Sequence, residues 1–257
     1  MKILITGGGG FIGKNLSEEL DGYDITSITR NDFDLTDINS VNKFFKNKNF
    51  DVVIHTAIVG GNRMKIDSDE TLTQNLLMFN NLVENKTHFK KLINFGSGAE
   101  INSPNSPYGI SKKIISNIIS KNDDFYNIIL FAVFNEKELN SRFIKSNMLN
   151  YMNKKPMIIH QNKYMDFFHM TDLISLVKFY INNKVLPKSI DCSYQKKVTL
   201  KDVVNMINNL SDYKVPIIIE KDGLDKSYLG NDLFLNDLPL NLIGLEEGIK
   251  KTYKSYK

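Results

Sequence analysis

The sequence predicts an α/β fold, with a doubly wound parallel sheet followed by a small C-terminal α/β lobe. Short apolar runs alternate with amphipathic stretches through residues 1–130, and such alternation is typical of βαβ crossovers in a parallel sheet. A run of glycines also separates the first apolar run from the first amphipathic stretch. The chain has 257 residues, of which 42% are hydrophobic, as is ordinary for a globular protein.

Five apolar runs are predicted to be strands, because each is bounded by turn residues or charges. They lie at 2–6, 23–29, 51–57, 91–95 and 127–133. The stretches between them repeat apolar residues every three or four positions, as the buried face of a helix requires. These predicted helices lie at 11–20, 40–48, 70–85 and 107–121.

The pattern is less regular after residue 135. Helices are predicted at 140–153, 171–182 and 199–209, and a strand is predicted at 156–160. The last of these helices begins with Thr199, a residue type that caps helix N-termini. We expect this part to form a lobe over the strand ends, where doubly wound folds bind ligands.

Charge and cysteine content exclude several classes of protein. The chain carries 33 basic and 29 acidic residues, and the lysines are spread along it, so nucleic acid is not an expected partner. With a single cysteine, Cys192, neither an intramolecular disulfide nor a Cys-rich zinc site can form, and no metal is expected. No apolar run approaches the roughly 20 residues that span a bilayer, and no signal-peptide pattern is present. We expect a cytoplasmic protein without a membrane partner.

The glycine run predicts a dinucleotide site of the Rossmann type. Glycines at 7, 10 and 13 would give a tight turn, a close approach of the backbone to a pyrophosphate, and close packing of helix on sheet. The helix that begins with Phe11, Ile12 and Gly13 would then hold the anion at its N-terminus. A flexible turn is the alternative, but the position between a strand and a helix favours cofactor binding.

Arg30 indicates which dinucleotide is bound. An NAD site places Asp or Glu at the end of the second strand, whereas Arg30 follows that strand here. Because a guanidinium can bind a 2′-phosphate through two hydrogen bonds, the sequence favours NADP(H) over NAD; a solvated Arg30 is the alternative. We predict an NADP-binding Rossmann domain at 1–134 with 160–186, and a substrate-binding lobe at 135–159 with 187–257.

Tyr108 and Lys112 have a Tyr-x-x-x-Lys spacing, which places both side chains on one face of a helix. The lysine charge could lower the pKa of the tyrosine hydroxyl, which would exchange a proton with a carbonyl oxygen. The same spacing also occurs at Tyr151, Tyr180 and Tyr253. Since about one match is expected by chance, the spacing alone does not identify a catalytic pair. Only Tyr108 opens a helix after a predicted mid-sheet strand. That strand is followed by Ser97, which could donate to the same oxygen, so the other three pairs are predicted to be solvated helix faces.

These motifs resemble the extended short-chain dehydrogenase/reductases, the class that modifies nucleotide sugars. Further segments carry the resemblance: 34–37 (Asp-Leu-Thr-Asp), 55–57 (His-Thr-Ala), Asn75, 106–112 (Ser-Pro-Tyr-Gly-Ile-Ser-Lys), Asn135 and 166–172 (Asp-Phe-Phe-His-Met-Thr-Asp). The resemblance implies that Ser97, Tyr108 and Lys112 are catalytic and that Asn135 lies near the substrate diphosphate. It also implies cofactor contacts at Asp34, Leu35, Ala57 and Asn75. In this family the helices at 70–85 and 107–121 form a dimer bundle, so a homodimer is expected.

Within that family the chain is most similar to the GDP-fucose synthases, which epimerise and then reduce a GDP-4-keto-6-deoxyhexose with NADPH. The similar segments are 29–35 and 57–61. The epimerisation cysteine of that subfamily falls at Ala99, and its epimerisation histidine falls near Arg142, which we expect near the substrate. The resemblance therefore implies an NADPH-dependent 4-ketoreductase of a nucleoside-diphosphate 4-keto-6-deoxy sugar that does not epimerise C3 or C5.

Three alternatives remain. A nucleotide-sugar 4-epimerase would use the same fold, but such epimerases usually retain NAD, which Arg30 disfavours. A 4,6-dehydratase would carry an Asp-Glu pair where Gly98 and Ala99 stand. A non-catalytic NADP-sensing regulator would be expected to lose the tyrosine or the lysine. Arg63, after a Gly-Gly turn, is either a phosphate contact or a solvated side chain.

Overall fold

The computed structural model describes residues 1–61 and 66–257, which form two compact units. Unit 1 contains residues 1–129 and 178–190, and unit 2 contains residues 130–177 and 191–257. Residues 130–134 and 160–177, which the sequence assigned to the cofactor domain, therefore belong to unit 2. The assignment of cofactor and substrate binding to separate domains stays a prediction.

The chain alternates strands and helices, as the sequence predicted. The strands are β1 (Lys2–Thr6), β2 (Asp24–Ile28), β3 (Phe50–His55), β4 (Phe89–Ser97), β5 (Phe125–Leu130), β6 (Val133–Phe134), β7 (Met157–Asn162), β8 (Phe168–His169), β9 (Ser189–Asp191) and β10 (Ile217–Leu224). The helices are α1 (Phe11–Glu19), α2 (Ile38–Phe45), α3 (Asp69–Glu84), α4 (Ala99–Asn102), α5 (Pro107–Ser120), α6 (Phe143–Met152), α7 (Met170–Asn182), α8 (Leu200–Asn208), α9 (Leu233–Asn236) and α10 (Gly244–Lys254).

Unit 1 contains a six-stranded sheet with the order β2-β1-β3-β4-β5-β9. The strand β1 pairs in parallel with β2 and β3, and β3 pairs in parallel with β4. The register places Thr6 opposite both Ile28 and His55, and His55 opposite Asn94. The loops that follow β1, β2, β3 and β4 therefore lie along one edge of the sheet, where ligands bind in folds of this kind.

Each unit has its own apolar core. The core of unit 1 joins the sheet to α2, α3 and α5 through side chains that include Leu4, Phe45, Val53, Phe79 and Ile115. The core of unit 2 joins α6, α8 and α10 to β7 through side chains that include Met148, Tyr151, Ile159, Val203 and Ile249. Both sets repeat every three or four residues along the helices, which explains why the helical pattern was readable in the sequence.

The predicted doubly wound parallel α/β fold is confirmed, with differences in detail. The predicted strand 127–133 is two strands, because β5 ends at Leu130 and β6 pairs with β8 in a separate sheet. The strand β9 was missed since it has three residues, of which only Ile190 is apolar. The strand β10 pairs with β7 and is largely exposed, so it shows no buried pattern. Among the helices described, none combines the length and apolar character needed to cross a membrane.

Candidate active site

The glycine loop packs more tightly against the neighbouring strand than any side chain would allow. Gly7 has φ +72°, and a Cβ atom on it would lie 2.6 Å from Ala57 Cα. A Cβ atom on Gly13 would lie 2.4 Å from the carbonyl oxygen of Gly7 and 2.7 Å from Thr56 Oγ1. These distances are shorter than van der Waals contact, so glycine is needed at both positions for the loop and α1 to approach β3.

The N-terminus of α1 is suited to an anion. Gly10 is the residue before the helix, it supplies no capping side chain, and the first turn contains no acidic residue. The backbone N–H groups of this turn, which includes Phe11, Ile12 and Gly13, therefore meet no carboxylate of their own. Unpaired amides together with the positive end of the helix dipole bind phosphate groups. The loop thus fits the pyrophosphate of a dinucleotide.

A cavity of about 220 Å³ adjoins this loop. Six predicted cofactor residues line it: Gly7, Gly10, Arg30, Asp34, Leu35 and Ala57. Lining residues that the sequence reasoning missed include Ile28, Thr29, Phe33, Thr56, Ile58 and Met78. Most of these are neighbours in sequence of predicted residues, which is a signal that could have found them. Met78 lies on α3, and nothing in the sequence distinguishes it from a methionine of the apolar core.

Arg30 supplies the positive charge of this cavity. Within residues 1–61 and 66–257 its exposed guanidinium forms no hydrogen bond or ion pair. The nearby Asp32 carboxylate accepts hydrogen bonds from Thr29 N and Thr29 Oγ1, at 2.7 and 2.9 Å, and these bonds lower the pKa of Asp32. Asp34 accepts similarly from the backbone N and Oγ1 of Thr36. Both carboxylates are thus engaged in local turns, which leaves the guanidinium available to a ligand phosphate.

Asn75 is buried and holds the loop that follows β3. Its Oδ1 accepts from Val59 N and its Nδ2 donates to Val59 O, both at 2.9 Å. Its Nδ2 also lies 3.2 Å from Ser111 Oγ on α5. Asn75 therefore ties this loop to α3 and α5, and the expectation that it touches the cofactor stays a prediction.

Local sequence explains why α5 begins beside Tyr108. Ser106 caps the helix by accepting from Gly109 N at 3.0 Å, and Pro107 is the first helical residue, where a missing N–H costs nothing. A Cβ atom on Gly109 would lie 2.0 Å from Ser103 O, so glycine is needed there. The Ser-Pro-Tyr-Gly sequence therefore fixes Tyr108, which is half-buried, in the first turn of α5.

Lys112 lies one turn after Tyr108 and is 6% exposed. Its Nζ donates to Phe95 O at 2.6 Å and lies 5.8 Å from the centre of the Tyr108 ring. Burial lowers the pKa of Lys112 to about 8, against the opposing attraction of the Glu100 carboxylate. The structure thus brings the tyrosine and the lysine together on one helix face, with the lysine joined to β4 close to Ser97.

Ser97 ends β4 and is 9% exposed. Its Oγ accepts a hydrogen bond from Ala99 N at 3.2 Å, which leaves the hydroxyl proton to donate elsewhere. Its backbone N donates to Glu100 Oε1 at 3.0 Å. Ser97, Tyr108 and Lys112 therefore belong to one segment, from the end of β4 to the start of α5, and can together hold and protonate a carbonyl oxygen.

The other three tyrosines with the same spacing are not solvated, and that expectation was wrong. Tyr151 and Tyr180 are fully buried, and Tyr253 is 7% exposed. Tyr151 OH lies 2.6 Å from Ser211 Oγ, and Tyr180 OH donates to Pro187 O at 2.9 Å. All three rings are buried, and the hydroxyls of Tyr151 and Tyr180 are paired, so these tyrosines have structural roles.

The predicted substrate residues lie in unit 2. Asn135 Oδ1 accepts from Lys137 N at 2.9 Å, and Arg142 Nε lies 3.9 Å from Glu138 Oε2. Sequence reasoning missed Glu138, whose side chain is 4% exposed and whose Oε1 accepts from Lys145 N. Burial raises the pKa of Glu138 to about 8. Substrate contact by Asn135 and Arg142 stays a prediction.

The late motif at 166–172 organises unit 2. Asp166 accepts from Gly230 N at 2.7 Å and from Ser193 Oγ at 2.6 Å. Asp172 accepts from Ile243 N and Gly244 N, at 2.9 and 3.0 Å, and so holds the start of α10. These two carboxylates join the C-terminal segments of the unit, which gives the motif a structural role.

Two further sequence predictions concern Arg63 and metal ions. Arg63 lies outside the described residues. Among the residues that are described, no group of three or more His, Cys, Asp or Glu side chains could hold a metal ion.

A glycine loop at the sheet edge and a tyrosine–lysine helix beside it define a dinucleotide-binding α/β enzyme of the dehydrogenase type. The chain belongs to the NAD dependent epimerase/dehydratase family, whose family model matches residues 3–192. The predicted resemblance to nicotinamide-dependent enzymes of this class is confirmed.

Individual relatives are similar over nearly the whole chain. A GDP-L-colitose synthase from Yersinia pseudotuberculosis is 25% identical over 301 aligned positions, which cover 98% of this chain and 96% of the relative. A GDP-mannoheptose C4 reductase from Campylobacter jejuni with NADP bound has a TM-score of 0.85 at 19% identity, covering 99% and 98% of the two chains. A GDP-L-fucose synthetase from Naegleria fowleri bound to NADP has a TM-score of 0.78 at 18% identity, covering 99% and 92%. The two structural likenesses show the shared fold.

Proposed function

We propose that the protein is an NADPH-dependent 4-ketoreductase of a nucleoside-diphosphate-linked 4-keto-6-deoxy sugar, and that it does not epimerise C3 or C5. The observation that carries the proposal is the buried Lys112 ammonium held one helical turn from Tyr108, beside Ser97. The three relatives described above all have a GDP-linked sugar in their names, which supports GDP as the nucleotide of the substrate.

The residues present fit the cofactor. The approach of Gly7 and Gly13 to β3 leaves room for a pyrophosphate at the start of α1, and Arg30 offers a guanidinium where a 2′-phosphate would lie. Ala57 and Leu35 give the cavity apolar walls. When bound, NADPH supplies the hydride that reduces C4 of the sugar.

Tyr108 supplies the proton. As C4 of the sugar becomes tetrahedral, charge develops on its oxygen, and the tyrosine hydroxyl gives its proton to that oxygen. Lys112, while protonated, favours the tyrosinate that remains, because opposite charges attract in a site of low dielectric. The hydroxyl of Ser97 donates a hydrogen bond to the same oxygen. Overall, one hydride and one proton are added to the ketone, which becomes an alcohol.

Epimerisation needs a further acid and base, and the segment that follows Ser97 offers none at the expected position. Ala99 stands there, with a methyl group that can neither take nor return a proton. This supports a reductase that leaves C3 and C5 untouched.

The experiment that tests the proposal is incubation of the enzyme with a panel of GDP-, CDP- and dTDP-4-keto-6-deoxy sugars. The expected result is loss of the absorbance of NADPH, with one molecule oxidised per molecule of 4-hydroxy sugar formed. A complete absence of NADPH oxidation with every ketosugar would overturn the proposal.

A 4-epimerase is the second candidate function, because the name of the family includes epimerases. An epimerase returns the hydride to the sugar, so it would interconvert nucleotide hexoses without net NADPH consumption. The same panel, extended to nucleotide sugars with a free 4-hydroxyl, separates the two activities. The Arg30 guanidinium at the cavity supports the reductase, since it favours a cofactor with a 2′-phosphate.

We also propose that the protein is a homodimer through α3 and α5. These helices pack on each other in unit 1, and Leu77 and Ile114 expose 42% and 37% of their surface. Burying such side chains in a partner is favourable. Light scattering after size exclusion should give twice the chain mass of 29.5 kDa. The double variant Leu77→Glu with Ile114→Glu should be a monomer.

A further inference from the structure

Glu100 is a buried carboxylate that the mechanism so far does not use. It is the second residue of α4 and is 9% exposed. Its Oε1 accepts from the backbone N of Ser97 at 3.0 Å. A buried carboxylate is costly unless it is paired, so its partners matter.

A polar network surrounds this carboxylate. Hydrogen bonds from the Asn127 and Ser116 side chains reach Glu100, and Asn94 Nδ2 donates to Asn127 Oδ1 at 2.7 Å. A Cβ atom on Gly96 would lie 2.6 Å from Glu100 Oε1 and 2.7 Å from Asn127 Nδ2. Because Gly96 has no side chain, the Glu100 carboxylate has room beside it. There the carboxylate contacts Ser97 of β4, Asn127 of β5 and Ser116 of α5.

Lys112, whose charge the reaction needs, binds the same stretch of β4 as Glu100: its Nζ donates to Phe95 O at 2.6 Å, and Glu100 Oε1 accepts from Ser97 N two residues further on. Ser116 follows Lys112 by one turn of α5, on the same face. Within the part of the chain that the structure describes, the ionisable groups facing Lys112 are Glu100, His55 and Tyr108. Burial lowers the pKa of His55 to about 3, so this histidine is neutral near pH 7. Burial raises the pKa of Glu100, and the hydrogen bond from Ser97 N and the charge of Lys112 act against that rise. In its ionised form Glu100 provides the negative charge that opposes the effect of burial on Lys112.

We propose that Glu100 is a positioning residue, which fixes the backbone of Ser97 at the end of β4 and holds Lys112 in its charged form. The inference rests on the proposed function for its catalytic meaning. The coupling between Glu100 and Lys112 can be measured without any substrate.

The substitution Glu100→Gln separates charge from shape. Glutamine keeps the size and one carbonyl oxygen for Ser97 N, but it removes the negative charge. In the full chain labelled with ¹³C-lysine, NMR titration should show the pKa of Lys112 falling by about 0.5–1. The signal is assigned by its absence in Lys112→Met. The control Ser116→Ala removes a hydroxyl of the same network without changing charge, and should leave the pKa of Lys112 unchanged.

The pH dependence of kcat should shift in the same direction as the pKa of Lys112. In Glu100→Gln the alkaline limb of the kcat profile should move to lower pH by the same amount, while the Kd for NADPH stays constant. Glu100→Ala also leaves Ser97 N without its partner, and should lower kcat about 10–100-fold through misplacement of Ser97. Glu100→Asp, which restores the charge, should recover the alkaline limb.

A reciprocal measurement covers the case in which Glu100→Gln does not fold. Removing the positive charge in Lys112→Met should raise the pKa of Glu100, followed by ¹³C NMR of the glutamate carboxyl carbons. An unchanged pKa of Lys112 in folded Glu100→Gln, or of Glu100 in Lys112→Met, would overturn the inference. If both pKa values move but the natural enzyme reduces no ketosugar, the coupling stands and the proposed function fails.

Discussion

Gly61 lies directly against the ring of Tyr108. A Cβ atom on Gly61 would stand 2.7 Å from Tyr108 Cζ, and the backbone of Gly61 has φ +69°. Its N–H donates to Asp67 Oδ1 at 2.9 Å, which holds the turn in place. The turn after β3, which Asn75 ties to α3, therefore packs against one face of the Tyr108 ring and limits where its hydroxyl can lie.

The substitution Gly61→Ala should displace that ring. Kcat is expected to fall about 10–100-fold, because small misplacements of a reacting group are costly. The matched control is Gly22→Ala, which has φ +83° but nothing within 4 Å of the new methyl group. Both variants should lose about 1–2 kcal/mol of stability through strain at positive φ. Steady-state kinetics and urea unfolding measure the two effects, and equal kcat values for both variants would contradict the contact.

Tyr108→Phe should abolish most of the turnover. Loss of the proton donor is expected to lower kcat about 10²–10⁴-fold, while the Kd for NADPH stays nearly constant. Phenylalanine at Tyr151 or Tyr180 removes a hydrogen bond in the core, so stability should fall by about 0.5–1.5 kcal/mol with kcat preserved. Phenylalanine at Tyr253 should also preserve kcat. An active Tyr108→Phe enzyme would mean that another group gives the proton.

The fold and the cofactor site could be predicted from the sequence where a residue type has a single physical reason to occupy its position. The strand–helix alternation of unit 1 and the glycines at 7 and 13 were readable because burial and close approach leave few alternatives. Spacing alone did not reveal that Tyr151 and Tyr180 are core residues, since a buried tyrosine with a paired hydroxyl has the same spacing as an exposed one.

Other features depend on contacts between distant residues. Glu100 and Glu138 read as ordinary charged residues, and only folding shows that their carboxylates are buried. The strand β9 lies beside β5, and Lys188, the residue before β9, accepts from Asn127 N of β5 at 2.9 Å, so the position of β9 depends on β5 and not on its own composition. No local pattern could have predicted these features, because each is set by an element more than 20 residues away or by burial itself.

Arg30→Ala should weaken NADPH binding selectively. A charged hydrogen bond to the 2′-phosphate is worth about 1.5–3 kcal/mol, so the Kd for NADPH should rise while the Kd for NADH hardly changes. Fluorescence titration with both cofactors measures the difference. The control Arg142→Ala removes the same charge from unit 2 and should leave both cofactor affinities intact. If Arg30→Ala weakened the binding of NADPH and NADH equally, Arg30 would not be the residue that binds the 2′-phosphate.

His55 should make stability depend on pH. Its Nδ1 lies 2.8 Å from Thr6 Oγ1, and burial lowers its pKa to about 3. In the unfolded chain the pKa is about 6.5, so between these values the unfolded state binds more protons and stability falls as pH falls. Going from pH 7 to pH 5 should cost about 2 kcal/mol through this residue.

The variant His55→Asn isolates that contribution. Asparagine can still form a hydrogen bond with Thr6 Oγ1 but does not titrate. Between pH 7 and pH 5 the unfolding free energy of the variant should therefore fall by about 2 kcal/mol less than that of the natural protein. Every other titrating group, including the buried His169, is common to both proteins and cancels in the comparison. Identical pH dependences from urea unfolding would show that His55 is not held neutral.

Turnover in D₂O tests whether the enzyme epimerises. Inverting C3 or C5 requires removal of a carbon-bound proton next to the C4 ketone and return of a proton to the opposite face. Ala99 can do neither, and the guanidinium of Arg142 does not give up its proton in a protein. Glu138, with a pKa raised to about 8, is mostly protonated at neutral pH and is a poor base there.

The product formed in D₂O should therefore carry no deuterium at C3 or C5 beyond a control without enzyme, as read by NMR and mass spectrometry. Ser97, Tyr108 and Lys112 serve the C4 oxygen, so their solvent-exchanged deuterons reach that oxygen and no carbon. Enzyme-dependent deuterium at C3 or C5 would contradict a reductase without epimerase activity. Loss of that label in Glu138→Gln, with ketone reduction retained, would then identify Glu138 as the group that exchanges the proton.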